Sequence, residues 1–400
     1  MIKKVKNILT HTLIQRKATY KSLLTNKIQM SMKKFILMAA VLTVSVVAGA
    51  KNWRINYDEN SGADFKTLKA ACESAEVMKG DVLYMEPGFH YGSEADNTIT
   101  KSGLKIVGPG WGFKTNAGEA MEIVTTHFLS AISISADSVH LVGINLERRR
   151  ILLDKTSSQS NPQKSVTIER CRCYTIYAQK SYFSNLIIRN NFIDDGLSIN
   201  AGSSNGCSVN QSLIEGNIIL GASSIGYESI GSRFDHNTLI GGSGSNKLIN
   251  SGNGGFQITN NILINKANST YVFNDYDATV VHNNVFSITQ AAYEADAASS
   301  YPTYSKYSAD QCVGATEANT FVNKTTGEYF DEAMRYFVQE GNVAKTADVN
   351  GGECGAFGGA HPYVLNGRPV GIPYLYDVDV PAQPTDNQLT ITFKVAGQNE

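Results

Sequence analysis

Hydrophobic and polar positions between residues 140 and 290 follow a five-position pattern: an aliphatic or aromatic residue, two variable residues, Asn, then an apolar residue or Thr. It is read in 188–192, 214–218, 234–238, 258–262 and 281–285; 168–172 carries Cys in the Asn position, and 142–146 is a weaker copy. The Asn positions at 145, 171, 191, 217, 237, 261 and 284 lie 20 to 26 residues apart. Self-similarity at that period, built from short β-type runs broken by Gly, Ser and Asn, predicts a solenoid in which every turn adds one rung. A leucine-rich repeat would need a Leu/Asn consensus that is missing, which leaves a parallel β-helix. The Asn residues read as structural. At a sharp turn an inward Asn tolerates left-handed backbone, and its amide can bond the same amide one rung away.

Ahead of the repeats, Phe65, Leu68, Cys72, Ala75 and Met78 recur at three-to-four spacing and predict an amphipathic helix over 63–79. Such a helix would cap the open end of the coil and hide its first edge. Residues 81–88 read as a strand and a turn, and 104–110 as the first full rung. From 291 the rhythm stops. A short helix is expected over 330–339, an extended irregular stretch over 362–384, where five of the nine prolines fall, and a half-buried strand over 389–395. Residues 51–290 are therefore expected to form the capped coil, and 291–400 a non-repetitive C-terminal cap packed along it.

Trp53, the run Asp64-Phe65-Lys66-Thr67-Leu68, then Gly80-Asp81-Val82-Leu83-Tyr84 and Pro87-Gly88 resemble the opening of secreted right-handed β-helix proteins of the pectin-lyase-like superfamily. The stretch from Gly355-Ala356-Phe357-Gly358-Gly359 to Tyr363 is similar to the C-terminal ends of bacterial β-helix proteins. The resemblance covers about residues 51–290 and implies an all-β, right-handed parallel β-helix. It implies no single activity, since that superfamily holds lyases, hydrolases, esterases and adhesins.

Charge divides the chain. Residues 1–50 hold nine of the 35 Lys/Arg and no acid, so 51–400 carries 26 bases against 36 acids, a net −10. An acidic body argues against nucleic acid as a partner. Lys33 and Lys34, the apolar run 35–47 and Ala48-Gly49-Ala50 make the three-part pattern of a secretory signal, with cleavage expected after Ala50 and a true start at Met30 or Met32. The expected location is secreted, periplasmic or at the cell surface, with no membrane span in the mature chain. The six cysteines lack zinc-site spacing; Cys312–Cys354 is the disulfide to test, against the alternative of small buried thiols.

If the leading aliphatic of each repeat points inward, the residue after it points outward. The stacked rungs then form a column of Glu169, Arg189, Glu215, Asp235, Thr259 and His282. Glu215 over Asp235 is a like-charge pair that needs a cation, a proton or Arg189 to compensate it. Three uses stay open: a solvated ladder, a Ca²⁺- or sugar-binding face with Glu215 and Asp235 as ligands, and catalysis by Arg189, Glu215, Asp235 and His236. Arg233-Phe234-Asp235-His236 is similar to a pectate-lyase signature, with Phe in place of Trp, and the segment carrying the base in that family is missing. Asp194-Asp195-Gly196 resembles the paired aspartates of polygalacturonases without their companion motifs, and a turn is its plain reading. Arg148-Arg149-Arg150 with Lys155 could grip an acidic glycan or form a solvated loop; Asp275 and Asp277 could meet a metal or form a turn. Tyr301, Tyr304 and Tyr307 could stack on sugars or cover the coil. The expected partner is a polysaccharide, held by a possible lyase or by a non-catalytic surface module.

Overall fold

Ile168, Ile188, Ile214, Phe234, Ile258 and Val281, the leading residues of the repeats, stack one above another in a ten-stranded sheet that is parallel throughout. All six are buried. The computed structural model describes residues 49–111, 126–128, 130–178, 182–199, 208–225, 230–241, 248–251, 256–266, 280–297, 310–326, 331–368, 374–379 and 392–396. A second parallel sheet of twelve strands runs from Thr98–Ile99 to Gln311–Cys312, and a third joins Gln163–Lys164, Tyr182–Ser184 and Ser208–Asn210. The chain passes from one sheet to the next and returns one strand higher, so the fold is a parallel β-solenoid. The coil starts earlier than the sequence indicates: Asn52–Ile55 and Val82–Met85 lie ahead of Lys105–Val107 in the ten-stranded sheet.

Turn chemistry sets the corners. Arg170, Asn190, Gly216, His236, Asn260 and Asn283 all have positive φ, between 50° and 64°. Each sits one residue before the ladder position, so the left-handed residue and the ladder Asn are neighbours rather than the same residue. The ladder Asn is free to point inward because its neighbour makes the corner. Asn191, Asn217, Asn237 and Asn261 each donate amide to amide carbonyl up the stack at 2.8–3.2 Å, and the Asp310 carboxylate accepts from Asn284 at 3.1 Å. Each Nδ2 also donates to the backbone oxygen of a leading apolar residue, such as Ile214 for Asn237 at 2.8 Å. Cys171 ends the ladder: its backbone N–H donates to Asn191 Oδ1 at 2.8 Å and its thiol lies 3.3 Å from the Glu169 oxygen. In the weak copy the ladder position belongs to Ile144, whose oxygen accepts from Arg172 N, while Asn145 bridges Arg172 one residue further on.

The predicted 63–79 helix is only Leu68–Glu73. Phe65 bridges Ile55 as extended chain, Thr67 caps the helix by accepting from Ala70 N, and Ser74 is extended. Leu68, Ala71 and Cys72 face the coil, and Met78 is exposed. The expected helix over 330–339 is a 3-10 turn, Glu332–Tyr336, capped by Asp331. Within the proline-rich stretch Tyr374–Asp379 is a strand, pairing antiparallel with Thr392–Ala396. No helix among the described residues is long and apolar enough to cross a membrane.

Candidate functional site

The register of the ten-stranded sheet places Glu169, Arg189, Glu215, Asp235, Thr259 and His282 in one column, each Cα partner to the next. The column leaves the coil as the alternation dictates, yet only Arg189 and His282 keep partial contact with solvent. Glu169, Glu215, Asp235 and Thr259 are 3–7% exposed. Segment 347–368 lies over it, hydrogen-bonding through Gly355 N to the Asn260 oxygen (2.9 Å), Val349 N to Asn260 Oδ1 (3.0 Å) and Ala356 N to the Thr238 hydroxyl (3.0 Å). The solvated ladder is thus replaced by an internal seam. Its physical reason is the glycine run. A Cβ at Gly359, where φ is +76°, would come within 2.8 Å of the His236 ring, and one at Gly358 within 3.1 Å.

Charge at Glu169, Asp235 and His236 is matched inside the protein, while the buried Oε2 of Glu215 makes no hydrogen bond among the described residues. Glu169 accepts from His140 Nε2 (3.1 Å) and Arg189 (3.2 Å), with Arg170 Nε at 3.4 Å. Burial pushes its carboxyl up, but the bond from His140 and the charge of Arg189 together outweigh burial and hold it at about 2. Asp235 takes Thr259 Oγ1 (2.7 Å), Asn260 Nδ2 (2.8 Å) and the Arg233 guanidinium, and His236 Nδ1 lies 3.3 Å away, off hydrogen-bonding geometry. Burial again raises this carboxyl, and these partners, His236 foremost, bring it to about 2. On its other side His236 Nε2 meets Asp348 Oδ2 at 3.4 Å. Burial lowers the His236 pKa, and the two flanking carboxylates reverse that and raise it. Arg189 turns to Glu169; Glu215 meets His361 Nδ1, 3.3 Å from Oε2.

Among the described residues no group of three or more His, Cys, Asp or Glu is arranged to hold a metal ion. For Ca²⁺ at Glu215 and Asp235, the residues fit poorly, because the Asp235 oxygens already accept from protein donors.

A second polar group lies on the twelve-stranded sheet. Cys173 pairs Ile193 and Thr175 pairs Gly196, so one residue, Tyr174, faces two, Asp194 and Asp195. The double Asp is therefore a β-bulge inside a strand rather than a turn. A bulge re-aims side chains. Asp194 lies 3.7 Å from Arg172, which also pairs with Glu332 of the 3-10 turn. Burial raises the Asp194 carboxyl to about 6 against the pull of Arg172. Asp331 is buried and accepts from Asn366 N (2.6 Å), Ala333 N (2.8 Å) and Trp111 Nε1 (3.3 Å), which fixes this segment to the coil. The Tyr363 hydroxyl is buried and has no hydrogen-bond partner among the described residues.

Other candidates separate. Arg148, Arg149 and Arg150 are exposed, with Arg150 over the Tyr177 ring at 5.9 Å, while Lys155 pairs with Asp137. Tyr301, Tyr304, Tyr307, Asp275 and Asp277 lie outside the described residues. Exposed rings occur elsewhere: Tyr57 packs edge-on to Tyr91 at 5.8 Å, and Phe89 stacks on Tyr91 at 5.7 Å. Phe89 alternates with His90, which stacks inward on Phe128, so the strand itself turns Phe89 outward. The signal missed in the sequence is Phe89-His90-Tyr91 after the Pro87-Gly88 turn. Cys312 and Cys354 are free buried thiols, as are Cys72, Cys171 and Cys173. The Cys312–Cys354 disulfide does not form; Cys354 Sγ lies 3.4 Å from the Asn283 oxygen instead.

Fold and seam define a parallel β-solenoid whose charged column is roofed by its own C-terminal segment. No family model, curated protein or solved structure matches the chain.

Proposed function

We propose that this chain is an exported β-solenoid, of the pectin-lyase-like kind its opening resembles, that holds an extended polysaccharide on its outer surface without cleaving it at the charged column. The observation that carries the reading is the aromatic group Tyr57, Phe89 and Tyr91, which stays 39%, 53% and 54% exposed. The three rings pack on one another at the surface, and flat aromatic plates suit the faces of sugar rings. Lyase chemistry at the column would need a base and a carboxylate-binding cation turned toward substrate. Arg189 and His236 are both committed to carboxylates of the protein.

The test is retention of the purified chain in gels cast with neutral and uronate polysaccharides, beside Tyr57→Ala and Tyr91→Ala. Retention by at least one polysaccharide, weakened about tenfold in the variants, is expected. Absence of retention on every polysaccharide, or variants retained like the parent, would overturn the reading.

A further inference from the structure

The last rungs of the twelve-stranded sheet do not close fully on one another. Ile262–Asn265 pairs along its whole length with Thr238–Gly241 on one side, but on the other only Ile262 and Leu263 find partners, Val285 and Phe286. The chain then leaves the sheet through 287–289 into the helix Gln290–Ala297. Asn265 N donates to the Ser287 hydroxyl at 3.0 Å, where a regular rung would offer a carbonyl. Between this departing chain and residues 315–317 lies a cleft of about 400 Å³. Ile264, Ile288 and Ala315, all buried, form its apolar wall together with the half-buried Ala292 of the helix. Ser287, Thr289 and Thr316 also line it. Each of their hydroxyl oxygens accepts a backbone N–H, from Asn265, Ala292 and Asn319 at 3.0–3.3 Å, and none of their protons has an acceptor among the described residues. The oxygens are held and the protons stay free to donate. Lys266 and Glu317, paired with each other and with side chains 46% and 32% exposed, bring the only charges of the lining, and these cancel.

We infer that this cleft is a pocket for the terminal unit of a neutral glycan, whose C–H face lies on the Ile264 and Ile288 wall and whose hydroxyls accept from Ser287, Thr289 and Thr316 and donate to Glu317. The inference rests on the polysaccharide reading above for its substrate class. A sugar ring presents an apolar face and a rim of hydroxyls that both donate and accept, which matches an apolar wall beside fixed donors and one carboxylate. Ligand pockets run from about 300 to 1,000 Å³, so a volume near the lower limit takes one small unit rather than a length of chain. A sugar acid would have to share Lys266 with Glu317, setting two carboxylates on one ammonium, an arrangement that selects against it. A purely apolar ligand would cover the hydroxyls and the ion pair without bonding them. Ile262–Asn265 stands near the end of the stack opposite Asn52–Ile55, the strand that leads to Tyr57, so the pocket is a second place on the coil, apart from the exposed rings.

The purified chain is titrated with the methyl glycosides of glucose, mannose and galactose and with methyl glucuronide, read by saturation-transfer NMR, beside Ala292→Leu and Glu317→Gln, and unfolding midpoints are recorded. At least one neutral glycoside is expected to bind, with the glucuronide about tenfold weaker or more. Ala292→Leu keeps a good helix former and fills the cleft, so it should weaken that binding at least about tenfold while the midpoint stays level or rises. A mere packing gap would give the same midpoint with binding unchanged. Glu317→Gln frees Lys266 and should narrow the difference between glucuronide and neutral glycoside about two- to fivefold. No glycoside binding, a glucuronide that binds the parent more tightly than the neutral glycosides do, or Ala292→Leu binding like the parent would overturn the inference. Polysaccharide retention that is lost in Tyr91→Ala, with no glycoside bound by the parent, would sink this pocket and leave the broader reading standing. Retention by no polysaccharide would instead strike the broader reading itself.

Discussion

His236 Nε2 and Asp348 Oδ2 meet at 3.4 Å across 112 residues of chain, and the imidazole reaches that position from a left-handed backbone with φ of 50°. The strained corner of one coil turn is thus tied to the segment that covers the seam. Asp348 is itself fixed, accepting from Gly352 N at 2.6 Å and Asn350 N at 2.7 Å. Asp348→Ala removes the loop's anchor and leaves His236 beside Asp235 alone. The expected loss is about 3 kcal/mol by denaturant titration, the scale for breaking a buried charged pair. A loss below about 0.5 kcal/mol, within the range of ordinary surface changes, would contradict the tie.

The seam also fixes a pH window. Glu169 and Asp235, at about 2 when folded, have depressed values, so their contribution is present above the ordinary unfolded carboxylate range and is lost as pH falls from about 4 toward 2. His236 is raised, so its contribution is full below about 6.5 and is lost as pH rises through its folded value. Stability followed from pH 2 to 9 should fall on both sides, and Asp235→Asn should flatten the acid side. An acid limb unchanged in that variant would refute the assignment.

Asp310 behaves in the opposite sense. It closes the Asn ladder, accepting from Asn284 N at 2.8 Å, and burial raises its carboxyl to about 6. A raised acid favours the folded state while protonated, so its contribution is lost as pH rises from about 4 to 6. Asp310→Asn should remove that slope and be more stable than the parent at pH 7. Equal slopes in the two proteins would count against the buried, ladder-capping carboxyl.

Within the ladder, position sets cost. Asn237→Ala strands the Asn217 amide, which donates to Asn237 Oδ1 at 2.8 Å, and the acceptors Asn261 Oδ1 and the Ile214 oxygen. About 3 kcal/mol should be lost, from several buried groups left unpaired at about 1 kcal/mol or more each. Asn191→Cys should cost less than half as much, because Cys171 already serves next to it in the same role. Equal losses would show that the ladder's end and middle are equivalent.

The coil was legible because its period and its face are both written in residue types. Ile, Val and Phe recur at the inward position, and Asn, whose short amide both donates and accepts, recurs three residues on. Even the column register follows from that spacing. What covers the column was not legible, since nothing in Glu215 or Asp235 announces that His361 and the Arg233 guanidinium will meet them. Gly358 and Gly359 hold that information, but a glycine reads only as permission for close approach, and its partner, the His236 ring, lies more than 120 residues away. The bulge at Asp194 was hidden for a related reason: Asp-Asp-Gly has turn chemistry, and only pairing with the strand Arg172–Ala178 draws it into the sheet. Helix 63–79 failed because periodicity continued past Thr67 and Ser74, where the backbone is extended.

Hydroxyl-radical footprinting of the purified chain, with and without a polysaccharide that retains it, tests the account most directly. Protection of Tyr57, Phe89 and Tyr91 on binding, with no change at His236 or His361, is the predicted result. Protection confined to His361 and the covering segment 347–368, with the three rings as reactive as before, would contradict it and return the charged column to the centre of the function.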